Sequence, residues 1–221
     1  MRKIPSGKEE RHAVAVLMQI YWYGHSCFKL QGKDVSVVLD PYRPGSVPGW
    51  KLPPLTADYC LCSHDHGDHS GKGGVALSGR RPALRLEQFS VFHDARQGRD
   101  RGKNLISVLT IDGVRIVHLG DLGHALSADL LESLQWPDVL LIPVGGYYTI
   151  DGETAYQIKQ QLNPRITVPM HYRVGSRGYK EISTLEPFLA KCQDVLYWEN
   201  SFFDPEEISS PCTLIPAVPE F

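Results

Sequence analysis

No run of apolar residues in this chain approaches the roughly 18 needed to cross a bilayer. The opening stretch MRKIPSGKEERHAVAVLM also lacks the unbroken hydrophobic segment of a secretory signal. The expectation is a protein with no membrane span, in the cytoplasm. An excess of one charge is missing too: 23 basic residues face 25 acidic ones, for a net charge of -2. A strong sequence-independent grip on nucleic acid needs a basic surface, so none is expected, although local basic patches are compatible with this balance. Cysteine is scarce, odd in number and scattered (Cys27, Cys60, Cys62, Cys192 and Cys212), which fits reduced thiols better than a disulfide framework. Cys60 and Cys62 alternate with Tyr59 and Leu61, and read as small thiols packed in a buried strand rather than as metal ligands. There is no internal repeat and no low-complexity tract.

What is present suffices for one substantial domain with a buried core: 221 residues, 42% hydrophobic and 22% charged. Met18 stands directly before the first clear strand. Residues 18–221 are therefore read as a single domain, and 1–17 as a loosely ordered extension, polar and mixed in charge over 1–12. Strands are predicted over 19–30 and 35–40 with a turn between them, and the proline-rich stretch 41–54 is a loop. Further strands are expected over 58–63, 85–92, 104–111 and 114–119, the last two joined by the Asp112-Gly113 hairpin signal. Later come a Ser127-capped helix to 134, a buried strand over 138–144, and a helix over 153–162 ended by Asn163-Pro164. A strand over 166–168, a helix over 184–192 and a strand over 195–198 follow. Hairpins first, then alternating strands and helices, predict an α/β (α+β) sandwich: two mixed sheets face to face with helices outside.

Against that ordinary background, residues 63–70 read Ser-His-Asp-His-Gly-Asp-His-Ser. Three imidazoles and a carboxylate (His64, His66, Asp68 and His69) fall within six positions. His64 and His66, two apart, point the same way from an extended segment, and a turn at Gly67 lets Asp68 and His69 face the same cavity. Borderline divalent metals favour such mixed nitrogen and oxygen ligands. Four ligands exceed what one catalytic ion takes while keeping a position open for water, so the spacing suggests two ions. Strand ends are where a rigid scaffold presents side chains to a cleft. Three more ligand-type residues stand there: His93 after 91–92, Asp121 after His118-Leu119-Gly120, and His171 after Val168-Pro169-Met170.

The pattern His64-x-His66-x-Asp68-His69, His93, Gly120-Asp121 and His171 resembles the metallo-β-lactamase superfamily in order and spacing, over almost all of the chain from Met18. Trp22-x-Gly24-His25-Ser26, Leu39-Asp40-Pro41, His118-Leu119-Gly120-Asp121 and Pro169-Met170-His171-Tyr172 are most similar to one branch of it. That branch contains ascorbate-phosphate lactonases and N-acyl-phosphatidylethanolamine phospholipase D. The resemblance implies an αββα sandwich with two divalent metal ions at one edge, zinc first and manganese or iron as alternatives. His64, His66 and His93 would hold one ion; Asp68, His69 and His171 the other; Asp121 would bridge. Such a pair leaves room for a shared hydroxide, acidified between ions about 3.5–4 Å apart, with Asp68 orienting it and passing a proton onward. The stretch between His69 and His93 is shorter than in many relatives, with 78–82 reading as loop, so pocket shape does not transfer with the motif.

Around these ligands, Asp40 is the leading partner for a ligand histidine's second ring nitrogen, the alternative being a turn carboxylate before Pro41. His25 and His124 are catalytic candidates for proton transfer or substrate contact, or else hydrogen-bonded supports; His118, inside a strand, reads as structural. Arg96, Arg99, Arg101 and Lys103 follow His93, and Arg173 follows His171. This placement suggests an anionic small-molecule substrate held by Arg96, Arg99, Tyr172 and Arg173, or simply a solvated basic face. The Gly145-Gly146-Tyr147-Tyr148-Thr149 turn could supply aromatic pocket walls. Taken together, the expectation is a cytoplasmic metal-dependent hydrolase of an ester, lactone or phosphodiester. A nuclease or phosphodiesterase acting on nucleic acid, and a catalytically silent metal-binding protein, are the alternatives. A diiron redox enzyme is disfavoured, because such relatives place a glutamate where His66 stands and add a flavin domain. A homo-oligomer stays open.

Overall fold

A computed structural model of the chain describes residues 18–209 and 211–221, so the extension read at 1–17 lies outside the described residues. Its first sheet is built from β1 (Gln19–Trp22), β2 (Phe28–Gln31), β3 (Ser36–Leu39), β5 (Tyr59–Leu61) and, at its edge beside β1, β13 (Phe202–Phe203). Between β3 and β5 comes β4 (Leu55–Ala57), which pairs in parallel with β6 (Val75–Leu77) as a separate two-stranded sheet. The second large sheet holds β7 (Arg85–Phe92), β8 (Lys103–Ile111), β9 (Val114–His118), β10 (Val139–Pro143), β11 (Ile166–Met170), β14 (Cys212–Ile215) and the edge strand β12 (Val195–Tyr197). The helices are α1 (Ala128–Leu134), α2 (Gly152–Leu162) and α3 (Glu186–Leu189).

Alternation decides which face is inside. Along β1 and β2, Ile20, Trp22, Phe28 and Leu30 are buried while Gln19, Tyr21, Lys29 and Gln31 are half-buried, the period-two pattern of a sheet with one covered face. β10 and β11 are buried at every residue, as expected of parallel strands covered on both sides. α2 buries Ala155, Ile158 and Leu162, at helical spacing. Its ends are written in the chain: the Asp151 side chain accepts from Thr154 N–H, and Asn163 turns left-handed (φ 48°) ahead of Pro164. Ser127 caps α1 by accepting from Leu130 N–H.

Strand direction positions the site. β1 and β3 both run antiparallel to β2, and β5 runs parallel to β3, so β1, β3 and β5 point the same way. β7 and β9 are both antiparallel to β8, and β10 and β11 continue parallel to β9. β7, β9, β10 and β11 therefore also share one direction. Each sheet thus offers a row of C-terminal strand ends along one edge.

The sandwich matches the expected fold class, with local corrections. The predicted strand over 19–30 is two strands, broken at 23–27 by Gly24 (φ 88°) and His25 (φ 51°); its apolar alternation runs on through a turn that the backbone signs of these residues dictate. The helix expected over 184–192 is helical only at Glu186–Leu189, with Pro187 in its first turn and turns beyond it. The short strands β4, β6, β13 and β14 had no pattern long enough to read. Among the described residues, no helix is long and apolar enough to cross a membrane.

Candidate metal centre

Every residue of the histidine and carboxylate cluster follows a strand that runs toward the same edge. His25 follows β1, Asp40 follows β3, and His64 to His69 follow β5. His93 follows β7, Asp121 follows β9, Tyr148 lies beyond β10, and His171 follows β11. Three of these exits leave the strand in the left-handed region without glycine: His25 (φ 51°), Asp40 (φ 45°) and His171 (φ 53°). Such backbone costs about 1–3 kcal/mol per residue and persists only where surroundings impose it, a pattern concentrated at functional sites.

One carboxylate oxygen is the hub. Oδ2 of Asp121 lies 3.1 Å from His69 Nε2, 3.3 Å from both His93 Nε2 and His171 Nε2, and 3.9 Å from His64 Nε2. Asp68 Oδ2 lies 3.3 Å from His25 Nε2, 3.6 Å from His69 Nε2 and 4.0 Å from His171 Nε2. Ligand atoms of His64, His66 and His93 converge within 4.8 Å of one another, as do those of His25, Asp68, His69 and His171, and those of His64, His69 and Asp121. The rings of His64, His66 and His93 sit 4.6–5.1 Å apart. The cavity above, about 270 Å³, is lined by His66, Asp68, His93, Arg101, Asp121, Tyr148 and Tyr179.

The cluster is held from behind. Asp40 Oδ2 meets His69 Nδ1 at 2.8 Å and accepts the Ser63 hydroxyl at 2.6 Å, while Oδ1 accepts Ser63 N–H. Asn104, fully buried, accepts Asp121 N–H at 2.9 Å and donates to Leu119 C=O at 2.8 Å, so one amide clamps both sides of the Gly120 turn. A side chain on Gly120 (φ 54°) would overlap Asn104 and Ser63. His118, as its strand position suggested, is structural: Nδ1 accepts Gly120 N–H and Nε2 faces Ser26 C=O. Asp94 collects the N–H groups of Arg96, Gly98, Asp100 and Arg101, closing the loop after His93 around one carboxylate.

Electrostatics follow the burial. Burial holds the His64 imidazole at about 3, with His69 contributing. Burial and then His171 hold His25 at about 4, and burial lowers His93. These rings are neutral at ordinary pH, the state in which imidazole lone pairs serve as ligands. Burial alone would raise Asp121, but His171 and His69 hold it well below the usual carboxylate range. His69 is the reverse: burial lowers it, yet Asp121 and Asp40 together raise it well above ordinary histidine.

Other predicted residues do not reach this cluster. Both ring nitrogens of His124 are taken by backbone, Nε2 accepting Phe92 N–H (3.2 Å) and Nδ1 meeting Ala125 C=O (2.7 Å); it braces the end of β7. Tyr172 is buried and stacks on Trp22 with centroids 5.8 Å apart, so it is core. Arg173 donates to Gly175 C=O and lines a separate depression with Tyr172 and Glu186. Arg96 is exposed and faces Asp100 at 3.1 Å, and Arg99 is exposed as well. Of the basic loop, it is Arg101 that lines the cavity, its guanidinium 5.4 Å from the centre of the Tyr148 ring. Tyr179 was missed, lying in a loop without a motif; its hydroxyl donates to Ser46 C=O. The five cysteines are free thiols, and among the described residues none joins a metal-capable group.

Comparison with known proteins decides the family. A model described as beta-lactamase superfamily domain matches residues 19–171. The chain belongs to the metallo-β-lactamase superfamily. Its enzyme class there is metal-dependent hydrolase: it is 30% identical over 198 residues to a UPF0173 metal-dependent hydrolase of Archaeoglobus fulgidus, covering 70% of this chain and 83% of that one. A UPF0173 metal-dependent hydrolase of Methanoculleus marisnigri is 30% identical over 191 residues, covering 70% and 81%. The fold is similar to that of a candidate Zn-dependent hydrolase of this superfamily from Thermotoga maritima, with a TM-score of 0.72, 29% identity, and 90% of this chain and 98% of that one covered.

Proposed function

We propose that the cluster holds two divalent cations, zinc by preference, and that the enzyme hydrolyses an ester, lactone or phosphodiester bond in a small anionic substrate. The observation that carries this reading is Asp121: a single carboxylate oxygen within 3.1–3.9 Å of four imidazole nitrogens from three loops. Buried Nε2 atoms of His64, His69 and His171 have no hydrogen-bond partner within the protein. Buried polar atoms rarely go unmatched, and a nitrogen and oxygen set of this kind suits borderline divalent metals.

In this reading His64, His66 and His93 would hold one ion, Asp68, His69 and His171 the other, and Asp121 would serve both. When bound, the ions supply an acidified water as nucleophile and neutralise charge building on the substrate. The chain does the rest. Asp40 fixes the His69 ring through Nδ1, leaving Nε2 aimed at Asp121. Asp68, with His25 Nε2 at 3.3 Å, receives the proton of the attacking water and hands it to the leaving group. Arg101 is the one lysine or arginine among the cavity-lining residues, and it orients an anionic substrate there; Tyr148 and Tyr179 wall off water. The branch containing lactonases and phospholipase D is the proposed kinship, and the free thiols favour a reducing compartment, the cytoplasm.

The test is turnover of chromogenic ester, lactone and phosphodiester panels by the zinc-loaded protein. The reading expects hydrolysis that a chelator abolishes and zinc restores. A loaded protein that cleaves none of them is a silent metal binder.

A further inference from the structure

His66 and Arg101 line more than the metal cavity. Those two residues also form one wall of an adjoining open groove of about 580 Å³, whose other lining includes Ser90, Lys103, Leu105 and Asp65. Two basic side chains therefore border the groove, Arg101 on the wall shared with the metal cavity and Lys103 beyond it. Arg101 is held in place at both ends: its backbone N–H is bound by Asp94 at 2.8 Å, and its guanidinium rests on Tyr148. Lys103 is the first residue of β8, in register with Phe92, the residue before His93.

Neither cation is consumed by the protein. Arg43, Arg80, Arg96 and Arg165 each face a carboxylate at 3.1–3.6 Å, whereas Arg101 and Lys103 form no ion pair among the described residues. The groove's own acid, Asp65, faces Arg43. A planar guanidinium fork and a flexible ammonium beside a serine hydroxyl make a receptor for an oxyanion.

Resting on the hydrolase reading above, we propose that the substrate is bipartite. Its scissile bond enters the cavity beneath Tyr148 and Tyr179. An oxyanionic group elsewhere on the same molecule passes between His66 and Arg101 and pairs with Arg101 and Lys103 in the groove. Lys103 is then a specificity residue outside the metal pocket.

The experiment compares p-nitrophenyl esters of equal chain length ending in a methyl, a carboxylate or a phosphate group, with metal-loaded full-length protein. An anion-ended ester is expected to exceed the methyl-ended one in kcat/KM by about tenfold or more, mostly through KM. Lys103→Gln is expected to cut that ratio to about twofold, Lys103→Arg to restore it, and Arg96→Gln, on the same loop but off both walls, to keep it. Whichever anion gives the larger ratio names the oxyanion. Equal kcat/KM for all three esters, or a ratio that survives Lys103→Gln, would overturn the proposal. Titration with inorganic phosphate tests the groove without turnover: wild type is expected to bind about tenfold more tightly than Lys103→Gln, and equal affinity overturns the groove. Failure to cleave any member of the ester, lactone and phosphodiester panels, while that phosphate difference stands, overturns the hydrolase reading alone.

Discussion

Oδ2 of Asp40 lies 2.8 Å from Nδ1 of His69, and both residues are fully buried at the exits of neighbouring strands. The contact leaves Nε2 as the nitrogen of His69 that faces Asp121 and fixes the ring from behind. Outer partners of this kind commonly contribute about 10–100-fold to metal affinity. Asp40→Ala is therefore expected to weaken binding of one cation by that factor, read by chelator competition, and to lower kcat in parallel. Unchanged affinity for both ions would leave Asp40 as a turn carboxylate holding Ser63.

Asn104 is the clamp of the Gly120-Asp121 turn. Asn104→Ala strands a buried N–H and a buried C=O, each worth about 1–3 kcal/mol. The expected loss is about 2–4 kcal/mol in urea denaturation, with metal affinity falling alongside because Asp121 loses its backbone anchor. Lost stability with intact metal binding would show that the turn keeps its geometry unaided.

His25 carries an acid-stability signature in metal-free protein. Burial, then His171, holds it at about 4 against an ordinary 6.5. Between those values the unfolded chain binds the proton that the folded chain refuses, so stability is complete above pH 6.5 and declines as pH falls toward 4. The full effect is about 3 kcal/mol. His25→Asn, which tolerates the left-handed backbone, should flatten the loss measured by denaturation at pH 7 and pH 4.5. An identical decline in both proteins would assign it to other groups.

His124 and Tyr172 are expected to act as supports. His124→Ala should lose about 1 kcal/mol, from the unmet Phe92 N–H, with kcat/KM within about threefold of wild type. Tyr172→Phe should behave alike. A drop in kcat beyond about a hundredfold at His124, with folding intact, would return it to the reaction.

The metal motif was legible because ligand chemistry is carried by residue type, and because strand ends could be placed from apolar runs before His93, Asp121 and His171. The buried strand read at Cys60 and Cys62 holds only in part: Cys60 lies in β5, Cys62 falls just past its end, and both are half-buried. The break at Gly24-His25 was harder to see, since alternation continues across it and only the sign of φ interrupts the strand. Which cation of the 96–103 stretch faces the pocket was not readable either. Four basic residues share one composition, and the Asp94-centred loop turns Arg101 inward and Arg96 outward. Tyr172 misled because a residue beside a ligand points to the opposite face; its neighbour His171 enters the site while it packs on Trp22. Tyr179 reaches the cavity through a loop that nothing local marks.

The central claim is that Asp121 sits between two cations. Its most direct test is elemental analysis of protein purified without chelator, in wild type and Asp121→Ala. Two ions per chain in wild type, falling to one or fewer in the variant with circular dichroism unchanged, is the expected result. A single ion in fully loaded wild type, or two retained without the Asp121 carboxylate, would contradict it.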